Sequence, residues 1–124
     1  MTDRRAARRR GLTAEFLAAW LLRLKGYRVL ARGFSIGRGR GAGEVDLIVR
    51  RGQTVVFVEV KARATLAQAA AAITPRQQDR IRRGALAFLA GRADLAACTL
   101  RFDAVLVAAG KLPRHISDAW RMDT

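Results

Sequence analysis

Cysteine is nearly absent from this sequence, with Cys98 its sole example. One thiol excludes an intramolecular disulfide and fits a reducing compartment, the cytoplasm. Flanked by apolar residues, it belongs in a core. Histidine is equally scarce. His115 has no partner evident in the sequence, and with Ser117 and Asp118 it makes no hydrolase triad, because no nucleophile elbow or oxyanion loop accompanies it. No apolar run reaches transmembrane length, since WLLRLKGY breaks off in charge and glycine. The start TDRRAARRR is not followed by the apolar stretch of a secretory signal. No helix-turn-helix, zinc finger or aromatic stacking platform is present, so nothing is built to read base edges. Negative charge is also thin: ten Asp and Glu stand against 24 Lys and Arg. Only three glutamates (Glu15, Glu44, Glu59) and three lysines (Lys25, Lys61, Lys111) occur, and all other basic residues are arginine. A lysine kept in so arginine-rich a chain hints that its position needs an ammonium and not a guanidinium.

What is present is a net charge of +14 on 124 residues, of which 51% are apolar. That describes a globular domain whose field attracts polyanions, nucleic acid before an anionic membrane. The basic residues are scattered and do not line one amphipathic helix, so the membrane reading is poor. Residues 1–11 read as a basic N-terminal arm and 12–124 as one domain. Thr13 can cap a helix running to Lys25, with Phe16, Leu17, Trp20, Leu21 and Leu24 as its apolar stripe and Gly26 as its C′ residue. Residues 27–34 alternate as a first strand. The glycines of SIGRGRGAG (35–43) lack a following helix N-terminus and therefore form a loop, where Arg38 and Arg40 are candidate nucleic-acid contacts. EVDLIVR (44–50) and VVFVEVK (55–61) read as central strands apolar on both faces, which calls for helices on both sides of the sheet. After a weak Ala-rich stretch at 64–72, Thr74 and Pro75 open a helix over 75–90. Its inner face is Ile81, Ala85, Phe88 and Leu89, and its other face Arg76, Arg80 and Arg83. Residues 99–107 form a fourth strand, and HISDAW reads as a short helix whose Trp120 packs back on the domain.

The stretch VVFVEVKAR carries the chemistry. Glu59 and Lys61 lie two residues apart on a strand, hence on one face, about 6–7 Å apart. Unpaired charges in such surroundings are costly. A two-residue turn at Gly52-Gln53 pairs residue i with residue 105 − i, which sets Asp46 opposite Glu59 and Glu44 opposite Lys61. Opposed carboxylates repel. Lys61 can neutralise one of them, and a divalent cation with oxygen ligands can satisfy both. Two acids, a lysine and Mg²⁺ in a strongly basic protein point to phosphodiester hydrolysis, in which the metal lowers the pKa of the attacking water and polarises the phosphate.

GEVDLI, a turn, and VEVKAR together resemble the PD-(D/E)xK motif of the restriction-endonuclease-like superfamily. More closely they resemble the YraN family of small bacterial predicted endonucleases, relatives of Holliday-junction resolvases. The resemblance spans nearly the whole chain, from the helix with Glu15 through TPRQQDRI to RFDAVLV. It implies an α/β restriction-endonuclease-like fold, with a central mixed sheet of four or five strands flanked by helices in the order α-β-β-β-α-β. It further implies that Asp46 and Glu59 bind Mg²⁺ or Mn²⁺, with the Val60 carbonyl and Glu15 as further ligands, Lys61 as the motif lysine and Glu44 in an outer shell. A lysine usual near the start of the second long helix is replaced here by Gln77, beside Arg76.

The expected function is metal-dependent endonucleolytic cleavage of DNA, structure-specific or non-specific, with branched DNA as a substrate candidate. A symmetric junction would make a homodimer natural. Asp46, Glu59 and Lys61 are the expected catalytic residues, and Arg38, Arg40, Arg63 and Arg76 the expected phosphate contacts. The rival reading is a non-catalytic nucleic-acid-binding protein of nuclease-like fold, serving DNA, RNA or the ribosome. The bland alternatives are an edge ion pair for Glu59 and Lys61, a helix-dipole role for Glu15, a strand cap for Glu44 and a solvated flank for Arg63.

Overall fold

The computed structural model describes residues 4–37 and 42–121. Five strands form one mixed sheet in the order β1-β2-β3-β4-β5: β1 Arg28–Ser35, β2 Glu44–Arg51, β3 Thr54–Arg63, β4 Thr99–Ala108 and β5 Arg114–Trp120. Only the β3–β4 pair is parallel. The crossover between these two strands carries α2 (Leu66–Ala71), α3 (Pro75–Ala90) and a 3-10 turn at Ala93–Leu95. Helix α1 (Arg4–Leu24) precedes the sheet.

Period-two alternation divides the core. One face of β2, β3 and β4 presents Leu47, Val49, Val56, Val58, Val60 and Val105 to α1. The other face presents Ile48, Val55, Phe57 and Phe102 to α3, with α2 over Ala104 and Leu106. The result is an α/β sandwich of restriction-endonuclease type. The β2–β3 hairpin keeps the expected register, from Arg51↔Thr54 to Leu47↔Val58, with Gly52 at φ 59 supplying the turn. The helix ends also form as expected. Thr74 accepts the Gln77 N–H at 3.2 Å ahead of Pro75. At Gly26 (φ 92) the amides of Gly26 and Tyr27 close back on the carbonyls of Arg23 and Leu22, a Schellman motif.

Four local expectations are corrected. The helix does not begin after Thr13 but at Arg4, so from there the basic segment is helical. The Ala-rich stretch is a true helix, α2, capped by Thr65. HISDAW is not a helix but the edge strand β5. Pairing with β4 satisfies backbone groups that would otherwise be left bare, and a bulge with Asp118 at φ 54 absorbs the Ser-Asp turn signal. Trp120 does pack back, stacking on Phe102 at 5.6 Å between ring centroids. Finally, α1 buries Ala14, Ala18, Ala19 and Leu22, while Phe16, Leu17, Trp20 and Leu24 are exposed. Both stripes recur at helical spacing. The sheet takes the small one because alanines let the helix approach a surface already filled by Val and Leu side chains.

Candidate active site

The sheet alternation that sends Phe57 toward α3 sends Glu59 and Lys61 the same way, toward the open end of that face. The β2–β3 ladder stops at Leu47↔Val58. At the next position the Asp46 carboxylate accepts the Val60 N–H at 2.8 Å and takes over from the ladder. The acids therefore sit where the two strands part. A cleft there is lined by Glu44, Asp46, Glu59 and Lys61 from the strands and by Gln77 and Arg80 from α3.

Glu59 is buried, 5% exposed. Its pKa is pushed well above the usual carboxylate range, by burial first, then by the Asp46 carboxylate beside it and by Glu44, while Lys61 opposes the shift. Lys61 Nζ stands 4.0 Å from Glu59 Oε2, an ion-pair distance too long for a hydrogen bond. Glu15 reaches the same place from α1. Burial raises its pKa, and the charges of Asp46 and Glu44 add to that against Arg32. Glu44, Asp46 and Glu59 thus share a cleft with one lysine and Glu15 reaches Asp46 from α1, although no three His, Cys, Asp or Glu among the described residues form a ready-made metal cage.

Helix α3 is fixed against this cleft by two glycines. A Cβ on Gly43 would lie 2.5 Å from the Gly84 N, and one on Gly84 would lie 2.9 Å from the Glu44 N. This backbone contact sets Arg80, one helical turn before Gly84, against Glu44, with which it forms an ion pair at 2.5 Å. Arg80 was expected on the outward face of the helix. It lines the cleft instead, and its Nε, like that of Arg83, is buried without a partner. Arg80, Gln77, Gly43 and Gly84 are the site-forming residues that sequence reasoning missed. A glycine inside a helix, costing about 1 kcal/mol relative to alanine, was the available signal.

The other candidates lie apart. Arg63 is exposed and donates to the Ala62 carbonyl at 2.8 Å. Arg76 is exposed in the first turn of α3 and does not line the cleft. Arg38 and Arg40 fall outside the described residues.

His115 does have partners, on the opposite face of the sheet. Its Nε2 is 2.7 Å from the fully buried Asp103, and its Nδ1 is 2.9 Å from Lys25 Nζ. An ammonium can only donate, so Nδ1 accepts and Nε2 donates. Asp103 also accepts from Arg101 and from the Asp118 amide. Burial by itself would raise the Asp103 pKa, yet these donors together hold it at about 2. The cluster ties β5 and the end of α1 to β4. Cys98 is only partly buried, packing on the core cluster beneath α3.

A family model described as "Uncharacterised protein family UPF0102" matches residues 14–107. The chain is 64% identical over 118 residues to a UPF0102 protein of Paramagnetospirillum magneticum, covering 95% of this chain and 92% of that one. It is 53% identical over 120 residues to one of Methylorubrum extorquens (97% and 91% covered). It is 52% identical over 116 residues to one of Parvibaculum lavamentivorans (94% and 84% covered). The matched span contains Glu15, Glu44, Asp46, Glu59, Lys61 and Arg80, and on this evidence the chain belongs to UPF0102, the YraN family.

Proposed function

We propose that the protein is a divalent-metal-dependent endonuclease that hydrolyses phosphodiester bonds in DNA. The observation that carries this reading is the meeting of buried Glu59 with Asp46 and Lys61 in one cleft of a protein with net charge +14. A structural ion pair needs one acid, whereas this site crowds several around a single lysine. The donor set fits Mg²⁺ or Mn²⁺, which are held by one or two carboxylates and complete their shell with water and phosphate. Asp46 and Glu59 would hold the ion, with the Val60 carbonyl and Glu15 as supplementary donors. When bound, the metal lowers the pKa of its water and polarises the phosphate.

The chain's own residues supply the rest. The Val60 amide fixes the rotamer of Asp46. Lys61, tethered loosely to Glu59, is free to donate to a non-bridging phosphate oxygen as charge builds there. The Arg80 guanidinium stands at the wall of the cleft as a further positive charge, where the family's usual lysine is replaced by Gln77. The basic surface provides binding without base readout, which favours recognition of DNA shape, branched DNA included.

The test is cleavage of labelled linear, single-stranded and four-way-junction DNA by wild type and Glu59→Ala, in Mg²⁺, Mn²⁺ or EDTA. Metal-dependent cutting by wild type alone is expected, with DNA binding retained by the variant. Tight binding without cutting on every substrate and in every metal would replace this reading by that of a non-catalytic nucleic-acid-binding protein.

A further inference from the structure

Helix α1 presents most of its large apolar residues to solvent. Leu12, Phe16, Leu17, Trp20 and Leu24 are 40–81% exposed on one continuous face. At the size of these side chains the bare patch is on the order of 500 Å². That is at the upper end of what a monomer leaves uncovered and most of the ~800 Å² that each side of a stable interface buries. Phe16 and Trp20 already contact one another edge to face at 6.3 Å, a rigid aromatic pair of the kind enriched at the centre of protein interfaces.

We infer that this face joins two copies of the chain as a two-fold dimer through antiparallel packing of their α1 helices. The patch is self-complementary. Residues 12, 16, 20 and 24 recur every fourth position, so they are symmetric about residue 18. Antiparallel pairing sets Phe16 of one copy on Trp20 of the other, and Leu12 on Leu24, twice over, as an isologous interface requires. Arg9 and Arg23 flank the patch, both exposed. A parallel pair would set each against its own copy, whereas the antiparallel pair sets Arg23 near Thr13.

The sheet edges offer no competing route to self-association. β1 has a bulge between Val29 and Ala31 and carries Arg28 and Arg32, and β5 is irregular where it faces Phe102 to Ala104. Bulges and charges of this kind discourage edge-to-edge pairing. The dimer rests on the exposed face and needs nothing from the chemistry in the cleft.

Light scattering on the eluting full-length protein, without metal or DNA, tests it. Wild type should show twice the 13.6 kDa chain mass. The double variant Phe16→Glu, Trp20→Glu should show the single-chain mass with an unchanged circular dichroism spectrum. Leu112→Glu, at an equally bare leucine off this face (88% exposed), should remain dimeric. If the double variant fails to fold, Leu24→Glu alone should weaken association at least tenfold. A wild type that stays single-chain up to ~100 µM, or a dimer that survives every α1 substitution, would overturn the inference. So would a single-chain protein that sediments with phosphatidylglycerol vesicles only while Phe16 and Trp20 are intact, which would assign the face to a membrane surface.

Discussion

At the scale of single residues, Glu59 and Asp103 are two buried acids with opposite electrostatics. Burial raises the folded pKa of Glu59, and the Asp46 carboxylate beside it adds to the shift against the opposing charge of Lys61. A raised acid favours its neutral form in the folded state. Its ionisation therefore costs stability as pH climbs from its unfolded value of 4.5 toward the folded one. Glu59→Gln should raise the metal-free melting midpoint near neutral pH, by about 4 °C for each kcal/mol relieved. Added Mn²⁺ should raise the midpoint of wild type and leave that of the variant unmoved, because only a site that binds the ion is stabilised by it. Scanning calorimetry with and without metal checks both shifts.

Asp103 is the reverse case, held at about 2 by Arg101, His115 and the Asp118 amide. Its stabilisation is fully present above 3.8 and is lost as pH falls toward 2. By linkage the shift is worth on the order of 2 kcal/mol. Asp103→Asn should lower stability at pH 7 and flatten the acid limb of a denaturant-midpoint series taken from pH 5 to pH 2.

At the scale of elements, the cleft depends on how α3 meets β2. Gly84 and Gly43 allow backbone to touch backbone, and the contact holds Arg80 over Glu44. On propensity alone Gly84→Ala should gain about 1 kcal/mol. The new Cβ would lie 2.9 Å from both the Glu44 N and Val45 Cγ2, so α3 must lift. The expected outcome is a net loss of about 1–3 kcal/mol, together with reduced cleavage, because Arg80 and Gln77 leave the cleft wall. Parallel urea unfolding and cleavage assays would read both effects. A stabilised variant would show that the helix does not depend on this contact.

At the scale of the whole molecule, the proposed binding to DNA would draw on the +14 charge more than on any one arginine. Arg63 and Arg76 are exposed and Arg80 is partly engaged by Glu44, so on the proposed reading phosphate contacts would be spread over the surface. Affinity for DNA should fall linearly on a logarithmic salt scale. With six or more phosphate contacts it should drop by ~10³ or more between 50 and 200 mM salt. Anisotropy titrations with Glu59→Ala, which removes turnover from the measurement, give the slope. A flat response would rule out backbone phosphates as the main ligand. No described helix is long and apolar enough to cross a membrane.

Sequence alone determined the features that follow from local chemistry and short-range pairing. Thr74-Pro75 and Gly26 set helix ends, Gly52-Gln53 set the hairpin register, and that register carried Asp46, Glu59 and Lys61 to one end of one sheet face. The motif residues were legible because a strand's period of two leaves no freedom once the turn is known. What only the tertiary structure decided were choices between equivalent local patterns. α1 has two apolar stripes at helical spacing, and the sheet's packing selected the alanine-rich one. HISDAW satisfies a short helix or a strand, and the open edge of β4 made it a strand. Arg80 falls on either side of α3 until the Gly43–Gly84 contact turns it into the cleft. In each case periodicity ranks the alternatives equally, and close packing between elements distant in sequence breaks the tie.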